Sequence, residues 1–171
     1  MPAFIAAARP YPWPYHEAFD PLHTALLVVV DDKPEGGVLE RVVLLASAAT
    51  EAQVLTVALS RPGGPTLPFA TELALERPRL SGFLGTALDL ELRARGRTDL
   101  LVTGFPLELG ADCTMREAND LGYECLLVED GCTAADRETF AGAVRSVQMS
   151  GGIFGAVATT DEVLALLRHV P

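Results

Sequence analysis

Two adjacent carboxylates, Asp31-Asp32, directly follow the apolar run Ala25-Leu26-Leu27-Val28-Val29-Val30. At the end of a buried strand such a group can act as a general acid or base. The plainer reading is a polar strand end that opens a turn through Lys33-Pro34-Glu35-Gly36-Gly37. Thiol chemistry has three candidates, Cys113, Cys125 and Cys132. They are an odd, sparse set without a paired metal spacing, which fits reduced thiols in a cytoplasm better than a disulfide framework. Cys113 reads as a small, partly buried helix residue. No phosphate-binding glycine fingerprint follows any strand and no serine-centred nucleophile string is present. Gly104 and Gly110 read as parts of a tight strand-to-helix turn. Arg77 and Arg79, isolated in a loop, read as solvated. No cofactor and no metal are expected.

These residues need a frame. Ala25 to Val30 is expected to be a parallel strand buried on both faces, and Val54–Leu59, Leu100–Thr103, Cys125–Val128 and Gly155–Ala158 repeat the type. Helical periodicity covers Val38–Gln53, Thr86–Arg95, Ala111–Leu121, Ala134–Met149 and Asp161–His169. Thr160 is placed as the N-cap of the last helix, and Gly122 closes the helix before the fourth strand. The Pro- and Gly-rich stretch from Arg61 to Ser81 holds little more than a short edge strand at Glu72–Leu75. Alternating strands and helices imply right-handed crossovers. The fold class is therefore α/β, a three-layer Rossmann-like fold with a mainly parallel sheet of five or six strands flanked by helices. Residues 1–23, with Pro10-Tyr11-Pro12-Trp13-Pro14-Tyr15, read as an extended Pro/aromatic arm. Residues 24–171 read as one domain. Ligands in such sheets sit beyond the carboxyl ends of the strands. That directs attention to Asp31-Asp32, the loop after Ser60, Gly104 to Gly110, and Asp130 to Thr133.

Composition narrows the partners. The chain has 171 residues, 49% of them hydrophobic, with 23 acidic against 13 basic side chains and a net charge of −10. That surface repels phosphate backbones and anionic lipid, so neither nucleic acid nor a membrane is an expected partner. The longest apolar stretch is too short to span a bilayer, and prolines interrupt any signal-like start. A cytoplasmic location is expected. Of the basic residues, Lys33 is the sole lysine.

Read together, the loops carry a longer pattern: Ser81-Gly82-Phe83-Leu84-Gly85-Thr86-Ala87-Leu88-Asp89, Leu92-Arg93, Gly96, Leu101-Val102-Thr103-Gly104, Thr114-Met115-Arg116-Glu117-Ala118 and Leu121-Gly122-Tyr123. Val128-Glu129-Asp130-Gly131 and Gly155-Ala156-Val157-Ala158-Thr159-Thr160-Asp161-Glu162-Val163 continue it. In order and spacing this resembles the isochorismatase-like cysteine hydrolase superfamily. The leader Tyr11 to Tyr15 followed by Asp20-Pro21 resembles amidohydrolase members of that group.

The resemblance implies a Rossmann-like sheet, oligomers, and an Asp-Lys-Cys triad with the thiol at a helix N-terminus. The implied nucleophile position, four residues before Thr114, is Gly110. The implied lysine position, six before Phe83, is Arg77, which keeps the charge but cannot be deprotonated. With Lys33 the sole lysine, the usual triad cannot be assembled in the usual way. The implied aspartate falls on Val30 in strict register, and on Asp31 if a one-residue bulge intervenes. The resemblance also implies two substrate-covering insertions. Here Asp31 and Arg77 are only 46 positions apart, so both are short. The Asp-x-His metal pattern of the nicotinamidase branch has no counterpart in His16, His23 and His169.

Three functions are open on these residues. The first is a catalytically degenerate member kept as a binding, scaffolding or partner subunit. The second is an active hydrolase of a small amide or a vinyl ether, with Asp31 as acid/base, Arg77 as the cation and Gly110 shaping the pocket. The third is a module binding a small carboxylate or amide. Ligand contacts are expected from Phe105, Leu109 and Ala111. A homo-oligomer, dimer or tetramer, or a hetero-oligomer with a hydrolase homologue is expected, with the aromatic arm as contact element.

Overall fold

The computed structural model describes residues 19–34, 36–150 and 152–168. Most of the aromatic arm, residues 1–18, lies outside them. Six strands, β1 (Thr24–Val30), β2 (Leu55–Ser60), β3 (Leu73–Glu76), β4 (Asp99–Phe105), β5 (Glu124–Val128) and β6 (Ala156–Ala158), form one sheet in the order β3-β2-β1-β4-β5-β6. Every pairing is parallel. Five helices complete the layers: α1 (Gly36–Glu51), α2 (Leu88–Ala94), α3 (Asp112–Asp120), α4 (Arg137–Met149) and α5 (Thr160–Arg168).

The alternation along β1 shows how the sequence makes the layers. All seven residues are buried. Ala25, Leu27 and Val29 point to one face and join Leu88 and Leu92 of α2, Met115 and Ala118 of α3, and Val144 and Val147 of α4. Leu26, Val28 and Val30 point to the other and join Val42, Leu45 and Ala49 of α1 with Val163, Leu166 and Leu167 of α5. A strand apolar at every position is what a sheet covered on both sides requires. Phe19 also packs on the α1/α5 side.

Local chemistry adjusts the helix bounds. Helix α4 begins at Arg137 rather than Ala134, because the Asp136 carboxylate accepts from the Glu138 and Thr139 N–H groups, each at 3.0 Å. Helix α2 begins at Leu88, whose N–H donates to Thr86 Oγ1 at 3.1 Å. At α5 the cap is Thr159, not Thr160. Glu162 Oε2 accepts from the Thr159 N–H at 2.8 Å, and Thr159 Oγ1 accepts weakly from the Glu162 N–H at 3.4 Å, a capping box. Gly122, at φ +87°, follows α3 as expected. Strand β3 lies one residue beyond the expected Glu72–Leu75, and it places Arg77 immediately after a strand.

The strand order reverses between β1 and β4, and the crevice at their carboxyl ends is the place where such sheets bind ligands. At the opposite end Arg97 Nη1 donates to the carbonyls of Pro21 at 2.7 Å and Thr24 at 3.2 Å, pinning the start of β1. Beside it Asp99 is 1% exposed. Burial, reinforced by Glu124 and opposed by the Thr98 hydroxyl, pushes its carboxyl up to about 6 from an ordinary 3.8. A carboxyl raised on folding favours the folded state most below pH 3.8, and that contribution fades as pH rises through 6. Asp99→Asn is therefore expected to stabilise the protein by about 1–3 kcal/mol at pH 8 and by little at pH 4. Urea unfolding at the two pH values measures this. A difference that does not change with pH would refute it.

Candidate functional site

Three loops converge at the crevice. After β1 the N–H groups of Asp31 and Asp32 both donate to the single carbonyl of Phe105, at 3.0 and 2.8 Å. Two residues facing one is the pattern of a one-residue bulge. It leaves Val30, 1% exposed, in the α1/α5 core and turns the Asp31 side chain into the crevice. After β4 a cis Phe105–Pro106 peptide leads into a turn at Leu107–Ala111, from which α3 continues. The Leu107 N–H donates to the Thr133 carbonyl at 3.0 Å, and the Thr133 N–H to the Gly104 carbonyl at 3.1 Å. Thr114 Oγ1 donates to the Gly110 carbonyl at 2.6 Å and accepts from the Gly82 N–H at 2.8 Å. The turn is thus held on both sides.

Asp31, Arg77 and Gly110 meet directly. Arg77 Nη2 stands 2.7 Å from Asp31 Oδ1, and Gly110 N–H donates to Asp31 Oδ2 at 3.0 Å. The solvated reading of Arg77 is overturned, since the residue is fully buried. Its Nη1 donates to the carbonyls of Arg79 at 2.9 Å and Leu80 at 2.7 Å, and its Nε to that of Leu59 at 3.4 Å. Burial of a guanidinium is tolerable only with such partners. Nη2 meets Asp31 as an ion pair outside hydrogen-bond alignment. A second arginine, Arg61, donates from Nε to Asp31 Oδ1 at 2.6 Å. Both carboxylate oxygens are engaged.

Space at Gly110 is decided by the same groups. A Cβ there would fall inside contact distance of Asp31 Oδ2, 2.6 Å from Arg77 Nη2 and 2.9 Å from Arg77 Cζ. The guanidinium occupies the room a side chain at 110 would need. Gly104 is also required by close approach, because its Cβ would overlap that of Ala111. At these two glycines contact, rather than turn conformation alone, sets the requirement.

The remaining expected contacts divide. Leu109 lines a cleft of about 560 Å³ together with Asp31, Asp32, Lys33, Arg61 and Thr133. Phe105 and Ala111, expected at a ligand, are core residues instead. The Phe105 ring is fully buried on the α1/α5 side, and Ala111 is fully buried against the opposite face. Phe105 serves the site through its carbonyl. Cys113 lies one helical turn beyond Gly110, and burial, then Asp112, pushes its thiol up, away from thiolate character. Among the described residues no group of three or more His, Cys, Asp or Glu is placed to hold a metal ion. None of their helices is long and apolar enough to cross a membrane. Arg61 escaped the sequence reading because no motif contains it. Its position directly after β2, at a carboxyl end, was the available signal.

Comparison with known proteins agrees with this architecture. Residues 64–162 match the family model described as Isochorismatase domain. Ureidoacrylate amidohydrolase RutB of Acinetobacter baylyi is 30% identical over 103 residues, 60% of this chain and 41% of that protein. The uncharacterized isochorismatase family protein YecD of Escherichia coli O157:H7 is 29% identical over 97 residues, 57% of this chain and 50% of that protein. The chain thus spans about half or less of the length of these curated relatives. Among solved structures, a cysteine hydrolase from Pseudomonas syringae pv. phaseolicola 1448A superposes with a TM-score of 0.78 at 20% identity, covering 90% of this chain and 96% of that one. The nicotinamidase SaPncA from Staphylococcus aureus superposes with a TM-score of 0.69 at 20% identity, covering 79% and 98%.

Proposed function

The chain belongs to the isochorismatase family, and we propose that it is a member without hydrolytic activity, retained as a binding or partner subunit. One observation carries the reading: the atoms of Asp31 and Arg77 fill the space that a nucleophilic side chain at position 110 would occupy. Two further features support it. The Gly110 N–H, which at such a turn would be free to steady a developing oxyanion, is already spent on Asp31 Oδ2. An acid at Asp31 would need an oxygen free to hand over its proton, and Arg61, Arg77 and Gly110 engage both. Small-amide and vinyl-ether hydrolysis therefore each lack a working group.

Incubation with nicotinamide, ureidoacrylate, other small amides and isochorismate is expected to give no turnover above that of an Asp31→Asn protein. Hydrolysis that the Asp31→Asn change abolishes, with the fold intact by circular dichroism, would overturn the proposal. Light scattering of the same preparation at micromolar concentration is expected to give a mass above the 18.2 kDa of one chain. A monomer would remove a homo-oligomer from the reading and leave a heterologous partner or a ligand.

A further inference from the structure

Beside the crevice, Arg61, Pro62, Arg77, Pro78, Arg79 and Leu80 line a second cavity of about 420 Å³, with Arg77 itself fully buried behind it. We infer that this cavity binds a small carboxylate carrying an apolar body. The inference extends the non-hydrolytic reading by naming a ligand class, and rests on it only in that the ligand leaves unchanged.

Charge is the first argument. The chain carries −10 overall, yet this cavity is lined by three arginines and no acid. Asp31 meets two guanidinium groups, Arg61 and Arg77, so that cluster keeps a net positive charge. Arg79 adds another, and no ion pair of Arg79 is found among the described residues. Glu76, adjacent in sequence, lines the neighbouring cleft, which shares Arg61 with this one. A cluster of like charge raises the local concentration of an incoming anion.

The second argument is fixed geometry. Arg77 Nη1 holds the carbonyls of Arg79 and Leu80, so the wall that bears the Arg79 side chain is anchored to a buried group. Arg61 spends Nε on Asp31, and its two Nη groups remain as donors. Guanidinium forks match the two oxygens of a carboxylate.

Chemistry of the walls selects the rest of the ligand. Pro62, Pro78 and Leu80, the last 41% exposed, offer apolar surface beside the arginines. A ring or short branched chain gains by covering them, whereas inorganic phosphate does not.

Benzoate, benzamide and inorganic phosphate serve as probes in calorimetric titrations at pH 7 and low salt. Benzoate is expected to bind at one site per chain, about tenfold more tightly than benzamide or phosphate. Arg79→Gln, at an exposed position, is expected to weaken benzoate about tenfold with the fold intact by circular dichroism, and Arg61→Gln likewise. Arg137→Gln, on α4, is expected to leave it unchanged. Absence of benzoate binding, equal binding of benzamide, or indifference to Arg79→Gln would overturn the carboxylate site. Equal binding of phosphate would overturn the apolar body. Conversion of benzamide to benzoate in the same samples would instead overturn the non-hydrolytic reading and leave the carboxylate site standing.

Discussion

A cysteine placed at position 110 is expected to destabilise the protein by about 2–3 kcal/mol and to yield no reactive thiol, unless Arg77 is shortened at the same time. The added Cβ alone would press on Asp31 Oδ2 and on the Arg77 guanidinium. Neither can step aside cheaply. Arg77 is held by three backbone carbonyls, and Asp31 by two arginines and the Gly110 N–H itself. Lysine at 77 would keep the charge and withdraw the planar head from the space beside Gly110. In the Gly110→Cys/Arg77→Lys protein the two effects should fall short of their sum by at least about 1 kcal/mol, since the altered side chains touch. The new thiol should then alkylate ahead of Cys125 and Cys132, which are buried and whose thiols burial pushes up. Denaturant unfolding of both single variants and the double variant, with alkylation sites mapped by mass spectrometry, gives both readouts. A Gly110→Cys protein as stable as its parent, with a reactive thiol, would show that the arginine does not exclude the nucleophile.

The arginine and the glycine share one space, which explains why single positions read from sequence gave only part of the site. The layers were legible because the signal is repeated. Seven buried positions in β1 and the apolar faces of α1 and α5 all require the same burial. The crevice was legible as a location, since strands end where polar residues begin. Arg77 was not legible as a buried group. An arginine after a Pro- and Gly-rich stretch is ordinarily solvated, and only the parallel pairing of β3 with β2 brings it under Leu80 and against Asp31. The choice between Val30 and Asp31 turned on two N–H groups sharing the Phe105 carbonyl, a tertiary feature with no local signature. Phe105 misled for a related reason: its carbonyl faces the site while its ring faces the core.

Replacing Arg77 with methionine, which keeps much of its length and removes its charge, is expected to lower stability by about 3–5 kcal/mol. The side chain is fully buried, so its loss leaves the Leu59, Arg79 and Leu80 carbonyls without their donor. It also leaves Asp31, with its side chain 4% exposed, to the half-exposed Arg61 and the Gly110 N–H. Asp31→Asn should be costly for the complementary reason, because it strands the Arg77 charge in the interior. Ion pairs in such places are not favourable in proportion to their Coulomb energy, since removing both charges from water has its own cost. The double variant Asp31→Asn/Arg77→Met should therefore lose clearly less than the sum of the two single losses. Thermal and urea unfolding of the two single variants and the double variant test this. Additive losses would mean that the two residues act independently. An Arg77→Met protein within about 1 kcal/mol of its parent would mean that the guanidinium does not hold the crevice together, because losing one partner of a buried pair is strongly destabilising. With that would go the structural reason for its taking the room beside Gly110.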